Sequence, residues 1–344
     1  MLRVLVPIAV VLGSFGCAQP PPEEFVHVAR ASTNLRADLA PDSDVIAMLD
    51  WGAKLQIVNR RRSAMFVRAE SGHEGWVQSS SVMSAEVKSK ADLLRSYTES
   101  YQPQGDVHVF ELTNVHLEPE RDSPTLYQLR RDEPADLLRR QLVERVPGTA
   151  PTEKPSSRRL DDWQLVRLSG GQAGWLLASR AYSGIPDEIG QHAQGRQITS
   201  YFRIGSVYDP LSQAERPTWL WTQVSRTRLP FDYDVVRVFR WDSERRSYQT
   251  IWVENGLIGF LPVTIHRIDQ SPASAASGFS LIVEEHGSRW RRSYKFQGDQ
   301  VLLESEGPAP PALPTPVRIL GDTQGPKIPA SLLDRFLGWW NVPT

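Results

Sequence analysis

The chain has 344 residues, 40% of them hydrophobic and 23% charged, with a formal net charge of −1. The length points to two or three domains, and the composition excludes a disordered chain or a polytopic membrane protein. The charge balance leaves no bulk positive field for a polyanion, so nucleic acid is not expected as a partner.

The first sixteen residues, MLRVLVPIAVVLGSFG, place one cation, Arg3, ahead of an apolar run from Val4 to Leu12 and then small residues. The run falls well short of the roughly 20 residues that a spanning helix needs, so 1–16 reads as a signal peptide. Cys17 is the only cysteine, which rules out an internal disulfide. Its position after an apolar run and a glycine resembles the lipidated cysteine of bacterial lipoproteins. That family usually has Leu, a small residue, then Gly or Ala before the cysteine. Here the residues are Ser14, Phe15 and Gly16, a departure at two positions. Ordinary signal-peptide cleavage beside an incidental cysteine is the alternative. The resemblance implies a chain anchored through lipidated Cys17, with more than the two signals that stable anchoring takes. It also implies a place in the cell envelope on the extracytoplasmic side, at the outer membrane in a Gram-negative cell. Residues 17–24, CAQPPPEE, read as a Pro-rich tether.

From 25 to 83, short alternating apolar runs are separated by turn-forming clusters every eight to twelve residues, as in a small all-β barrel. TNLRADLAPDSDVIAMLDWGAKLQIV followed by VRAESGHEGWVQSSSV resembles a bacterial SH3-like (SH3b) domain, with its Asn-hydrophobic-Arg start, a mid-domain glycine and a Gly-Trp-Val close. Gly52 and Gly72 suit turns that require positive φ. Trp76, with Gly75 leaving room beside it, is expected to floor the core, so that Trp76→Ala unfolds the domain.

The same grammar recurs. TNLRADLAPDSDVIAML (33–49) aligns without a gap on TNVHLEPERDSPTLYQL (113–129), and VRAESGHEGWV aligns on VRLSGGQAGWL. The offset grows from 80 to 99 between these segments, which marks an insertion of 19 residues in the second copy. The Pro- and Ser-rich stretch 146–162 is its expected place. The copies depart from the SH3b pattern at Ala64, where a Trp is common, and at His116, which stands where the first copy has Arg36. The second domain is expected over 105–185. The linker 84–104 between the copies includes a short helix, with Ala85, Val87, Ala91, Leu94 and Tyr97 partly on one face.

From 196 to 306 strand patterns dominate. Turns are expected at Asp242-Ser243, Asn255-Gly256, His286-Gly287 and Gly298-Asp299, giving an antiparallel β-meander that forms a barrel or sandwich. A Pro-rich linker, 307–330, leads to 331–344, where Leu332, Leu333, Phe336, Leu337 and Trp340 at helical spacing predict a short amphipathic helix capped by Ser331. The expected fold class is therefore all-β: two small SH3-like barrels, a β-meander domain and a short C-terminal helix.

Motifs for chemistry are missing. The seven histidines include no H-E-x-x-H pair, the mature chain has no G-x-S-x-G, and no second cysteine is present to act as a peptidase nucleophile. GGQAG at 170–174 lacks the Lys-Ser/Thr of a phosphate loop and reads as barrel closure. Asp232 and Asp234 share one side of a strand start and suit a cation only in principle; solvated carboxylates are the plainer reading. The Arg clusters at 60–62, 139–140 and 289–292 read as exposed hairpin charges, or as a site for carboxylates or phosphates. No catalytic residue, cofactor or metal is expected, and the chain is not read as an enzyme. The SH3b resemblance implies a lipid-anchored protein that binds peptidoglycan or an envelope protein by avidity between two barrels. Arg36, Trp51, Trp163 and Arg167 are the candidate ligand surface. A structural subunit of an envelope assembly, docked by the C-terminal helix, is one alternative. A wall hydrolase with its site in the C-terminal β domain is another.

Overall fold

The computed structural model describes residues 24–144, 160–225, 229–267 and 275–310. The signal peptide, Cys17, nearly all of the tether, most of the insertion and the C-terminal helix lie outside them. The described chain is all-β, with three antiparallel seven-stranded sheets and two short helices among the described residues.

The first sheet comprises β1 (Phe25–Val28), β2 (Ser32–Arg36), β3 (Val45–Asp50), β4 (Lys54–Arg60), β5 (Ala64–Ala69), β6 (Glu74–Gln78) and β7 (Val82–Ser84), in the order β3-β2-β6-β5-β4-β1-β7. Helix α1 (Ala85–Thr98) follows directly, with the Ser84 hydroxyl accepting from the Val87 amide. The second sheet is built from β8 (Asp106–Val109), β9 (Thr113–His116), β10 (Thr125–Leu129), β11 (Ala135–Glu144), β12 (Leu160–Leu168), β13 (Ala173–Leu177) and β14 (Ala181–Ser183). Its order, β10-β9-β13-β12-β11-β8-β14, repeats the first strand for strand.

The repeat extends to the cores. Val26, Val28, Leu35, Leu49, Leu55, Val67, Ala69 and Val77 fill the first barrel. Their counterparts Val107, Val109, Val115, Leu129, Ala135, Val166, Leu168 and Leu176 fill the second. Gly75 and Gly174 sit where a Cβ would strike Leu35 and the Arg36 carbonyl, or Val115 and the His116 carbonyl. Only glycine permits that close approach of strands. Part of the expected insertion is strand, since β12 begins at Leu160, paired with Glu144 in a lengthened hairpin.

One core expectation is corrected. Trp76 is half-buried and lies outside the first core, because strand alternation turns Gly75 and Val77 inward. It packs edge-on against Phe66 on the outer face, with ring centroids 5.3 Å apart.

Helix α2 (Asp187–Gly190) leads into the third sheet: β15 (Gln197–Asp209), β16 (Ala214–Val224), β17 (Tyr233–Asp242), β18 (Ser247–Arg267), β19 (Ala276–Glu285), β20 (Ser288–Gln297) and β21 (Gln300–Pro308). The strands run in sequence order, which is the expected meander. Tight turns fall at His286-Gly287 and Gly298-Asp299, but Asn255-Gly256 is no hairpin. Gly256 takes φ 75° inside β18, where the ladder to β17 shifts register, so the dipeptide bends one 21-residue strand. Beyond the bend β18 pairs with β19 instead. Large residues from β15 to β20, among them Phe202, Tyr233, Val263 and Phe279, form the core of this domain.

The three units are joined by specific contacts. Trp51 of the first barrel donates its indole N–H to the Leu126 carbonyl of the second, at 2.8 Å. In the linker, the Gln104 side chain accepts from the Val263 amide (2.8 Å) and donates to its carbonyl (3.2 Å). Gln102 does the same at Ile265, at 2.8 and 2.9 Å. Val263 and Ile265 lie in the part of β18 past Gly259, where β17 no longer pairs with it. Two side chains thus stand in for a strand and satisfy backbone groups that burial would otherwise orphan. Replacing Gln104 with Leu should cost about 1–3 kcal/mol per polar group stranded. Urea unfolding should show that loss in the transition of the third domain.

Candidate binding face

Three of the four residues expected to contact a ligand are committed within the chain. Trp163 is 1% exposed and meets His116 edge-on, with centroids 5.6 Å apart. Trp51 bridges the barrels, with the Lys88 ammonium 5.0 Å from its ring centroid. Arg167 grips Asp136 (2.8 Å) and donates to the carbonyls of Thr98 (3.0 Å) and Tyr101 (3.2 Å), where a cation complements the end of a helix. Arg36 alone remains on an open face, half-buried, with its guanidinium on the Ser43 carbonyl at 2.6 Å.

That face is the outer side of β3, β2, β6 and β5 in the first barrel. Ile46 is 39% and Met48 68% exposed on β3. Arg36 pairs in register with Trp76, and Phe66 lies across from Trp76 on β5. The Arg61 guanidinium sits 5.5 Å from the Trp76 ring centroid. The result is an aromatic platform edged by two guanidinium groups. Such a surface can take the apolar face of a ligand while arginine binds its carboxylates.

In the second barrel the corresponding face is closed. His116 pairs with Trp175 as Arg36 pairs with Trp76. There Leu117, Leu126, Trp163, Leu165 and Trp175 form one buried cluster with Ala91 and Leu94 of α1 and with Ala29 and Met83 of the first barrel. The helix expected in the linker between the copies therefore covers one of them. The apolar spacing in α1 announced a buried stripe, but the sequence did not say which copy would receive it.

A cleft of about 350 Å³ lies between the second barrel and the third sheet, lined in part by Arg121, Arg140, Asp161, Asp162 and Asp232. Its charges pair with one another. Arg121 bonds Asp161 at 2.7 Å, and Arg140 bonds Asp162 at 2.8 Å and Asp232 at 3.1 Å. Burial pushes the Asp232 carboxyl up, against the pull of the Leu261 amide and Arg140. Asp234 turns instead to Arg196 (2.8 Å) and the Ser225 amide. The two aspartates are thus separate arginine partners and do not form a cation pair. Among the described residues no three His, Cys, Asp or Glu side chains gather at a metal-binding distance. In the 289–292 cluster, Arg292 is buried among Glu254, Glu285 and Glu306 and is structural.

No protein-family model matches the chain, and no curated protein matches it. Among solved structures it is similar to NlpC2 from Trichomonas vaginalis, with 10% identity and a TM-score of 0.17 over 84% of this chain and 98% of the other. An NlpC/P60 family protein from Bacillus cereus gives 12% identity and a TM-score of 0.20, over 86% and 96%. TM-scores this low carry neither fold nor function across.

Proposed function

We propose that the chain is a lipid-anchored, non-enzymatic envelope protein that binds peptidoglycan through the outer face of its first SH3-like barrel. The observation that supports this reading is the contrast between the two copies: matching faces, one sealed by α1 and the other open with Arg36, Trp76, Phe66, Ile46 and Met48. The mechanism differs from avidity between tandem barrels. Each molecule offers one face, and anchoring at Cys17 raises its effective concentration at the wall. Arginine suits the carboxylates of stem peptides, and the aromatic pair suits the apolar sides of their neighbours.

Sedimentation of the unlipidated protein (Ala18 onward) with purified sacculi tests the reading. Arg36→Ala combined with Trp76→Ala should weaken binding at least about ten-fold, as loss of interface arginine and tryptophan commonly does. The melt should stay close to that of the parent, since neither side chain belongs to a core. Unchanged binding in the double variant, or no binding by the parent, would remove wall recognition from this face.

A further inference from the structure

Two of the three sheets end at the cleft between the second barrel and the third domain. β14 is the last strand in the order of the second sheet, and β15 is the first in that of the third. Ala181, Tyr182 and Ser183 of β14 all line the cleft, as do Gln197, Ile198 and Thr199 of β15. Successive side chains of a strand point to opposite faces, so a cavity that touches three in a row lies along the strand's edge and not on a face.

The alternation of hydrogen bonds shows which backbone groups point out of that edge. β14 runs antiparallel to β8, with Tyr182 opposite His108. The Gly184 amide donates to the Asp106 carbonyl (2.9 Å), and the Phe110 amide donates to the Arg180 carbonyl (3.2 Å). Bonded and non-bonded pairs alternate along such a ladder. Tyr182 therefore directs its N–H and C=O at β8, while Ala181 and Ser183 turn theirs to the free edge. The Ala181 amide closes on the Ala178 carbonyl. The Ala181 carbonyl and both backbone groups of Ser183 are left without a hydrogen-bond partner among the described residues. The edge of β15 has already received such a partner from the linker, since the Tyr201 amide donates to the Gln104 carbonyl at 3.0 Å.

The charged side chains of the cleft are paired with one another, so its walls present no surplus charge to an ionic ligand. A row of open N–H and C=O groups suits another extended backbone. The three residues of β14 span about 10 Å at 3.3 Å per residue, the length of a three-residue stretch of added strand.

We propose that the cleft binds an extended peptide segment of a partner protein, which adds to the free edge of β14 as a further strand of the second sheet. Amides of the peptide donate to the Ala181 and Ser183 carbonyls, and a peptide carbonyl accepts from the Ser183 amide. The site is separate from the open face of the first barrel, so the chain can hold such a segment while that face meets the wall.

A phage library of random heptapeptides, panned on the chain from Ala18 onward, supplies the probe. Selected peptides, followed by fluorescence anisotropy, should lose affinity at least about ten-fold when alternate backbone amides are N-methylated. Ser183→Pro removes the outward N–H and leaves the ladder to β8 in place, a change that edge strands accept. It should weaken binding by a similar factor with an unchanged melt, whereas Ser183→Ala, which keeps the N–H, should bind as the parent does. Should Ser183→Pro fold poorly, Ser183→Cys gives the location instead. It carries the only thiol from Ala18 onward, and bound peptide should slow its reaction with a maleimide several-fold.

Panning that returns no peptide would overturn the proposal. So would peptides that tolerate N-methylation, or that bind Ser183→Pro undiminished and leave the Ser183→Cys thiol unprotected. If chitotetraose binds in a manner that depends on Ser183 and no peptide does, the cleft is a sugar site and strand addition is refuted. Arg36→Ala with Trp76→Ala should leave peptide binding unchanged, so loss of sacculus binding and loss of peptide binding are read independently.

Discussion

Trp163→Ala should lower the unfolding free energy by about 3–5 kcal/mol, the range for truncating a fully buried large side chain. Trp76→Ala should lower it by about 1 kcal/mol or less. Sequence pattern ranks the two the other way, because Trp76 belongs to the Gly-Trp-Val close. Trp163 is 1% exposed in a cluster that draws on α1, the second barrel and, through Ala29 and Met83, the first. Removing the indole opens a cavity that none of these elements can fill by itself, so both barrels should lose stability together. Trp76 rests against Phe66 at a surface that water already reaches. Urea denaturation followed by circular dichroism distinguishes the cases, and equal losses for the two variants would contradict the placement of Trp163.

Arg140→Leu should cost a comparable 3–5 kcal/mol, because it leaves buried carboxylates without their counter-charge. The Arg140 side chain is 14% exposed, that of Asp162 19% and that of Asp232 10%. Asp232 is the more sensitive partner, since it also receives the Leu261 amide and sits at the seam between the second barrel and the third sheet. Adding Asp232→Asn to the Arg140 variant should recover part of the loss. The sign of the pH dependence follows from burial, which raises the Asp232 pKa in the folded state. A carboxyl raised on folding stabilises the protein below its unfolded pKa, near 3.9, and that stability disappears as pH rises through the folded value. The deficit of Arg140→Leu should therefore narrow toward acid pH and be full at neutrality. A deficit independent of pH, or no recovery in the double variant, would show that the pair is not a coupled buried unit.

Most of the strand content was legible because it depends on local features. Alternating apolar residues mark strands buried on one face, and His286-Gly287 and Gly298-Asp299 mark tight turns. The β-repeat was legible because it is a comparison of the chain with itself. What escaped depends on partners distant in sequence. Asn255-Gly256 has hairpin composition, yet β17 and β19 hold both halves of β18 and turn the glycine into a bend. Gln102 and Gln104 look like ordinary linker residues, and their role appears only at a strand edge 159 residues or more away that β17 leaves unpaired. The placement of the candidate ligand residues was least legible. Arginine and tryptophan are chosen both for ligands and for interfaces, so residue type alone could not separate Arg36 from Trp51, Trp163 and Arg167.

The matched cores and mismatched outer faces also bear on descent. Duplicating a small barrel gives two molecules' worth of the same solvent-facing surface in one chain, and selection can then treat the copies differently. Once α1 lay across the second copy, its outer face became an interior, where any change must answer to packing. The first copy kept an outer face open to solvent, where packing imposes no such condition. Relatives that share this repeat should vary Trp175 and Leu126 in concert with Ala91 and Leu94, and should vary Trp76 and Ile46 without regard to α1.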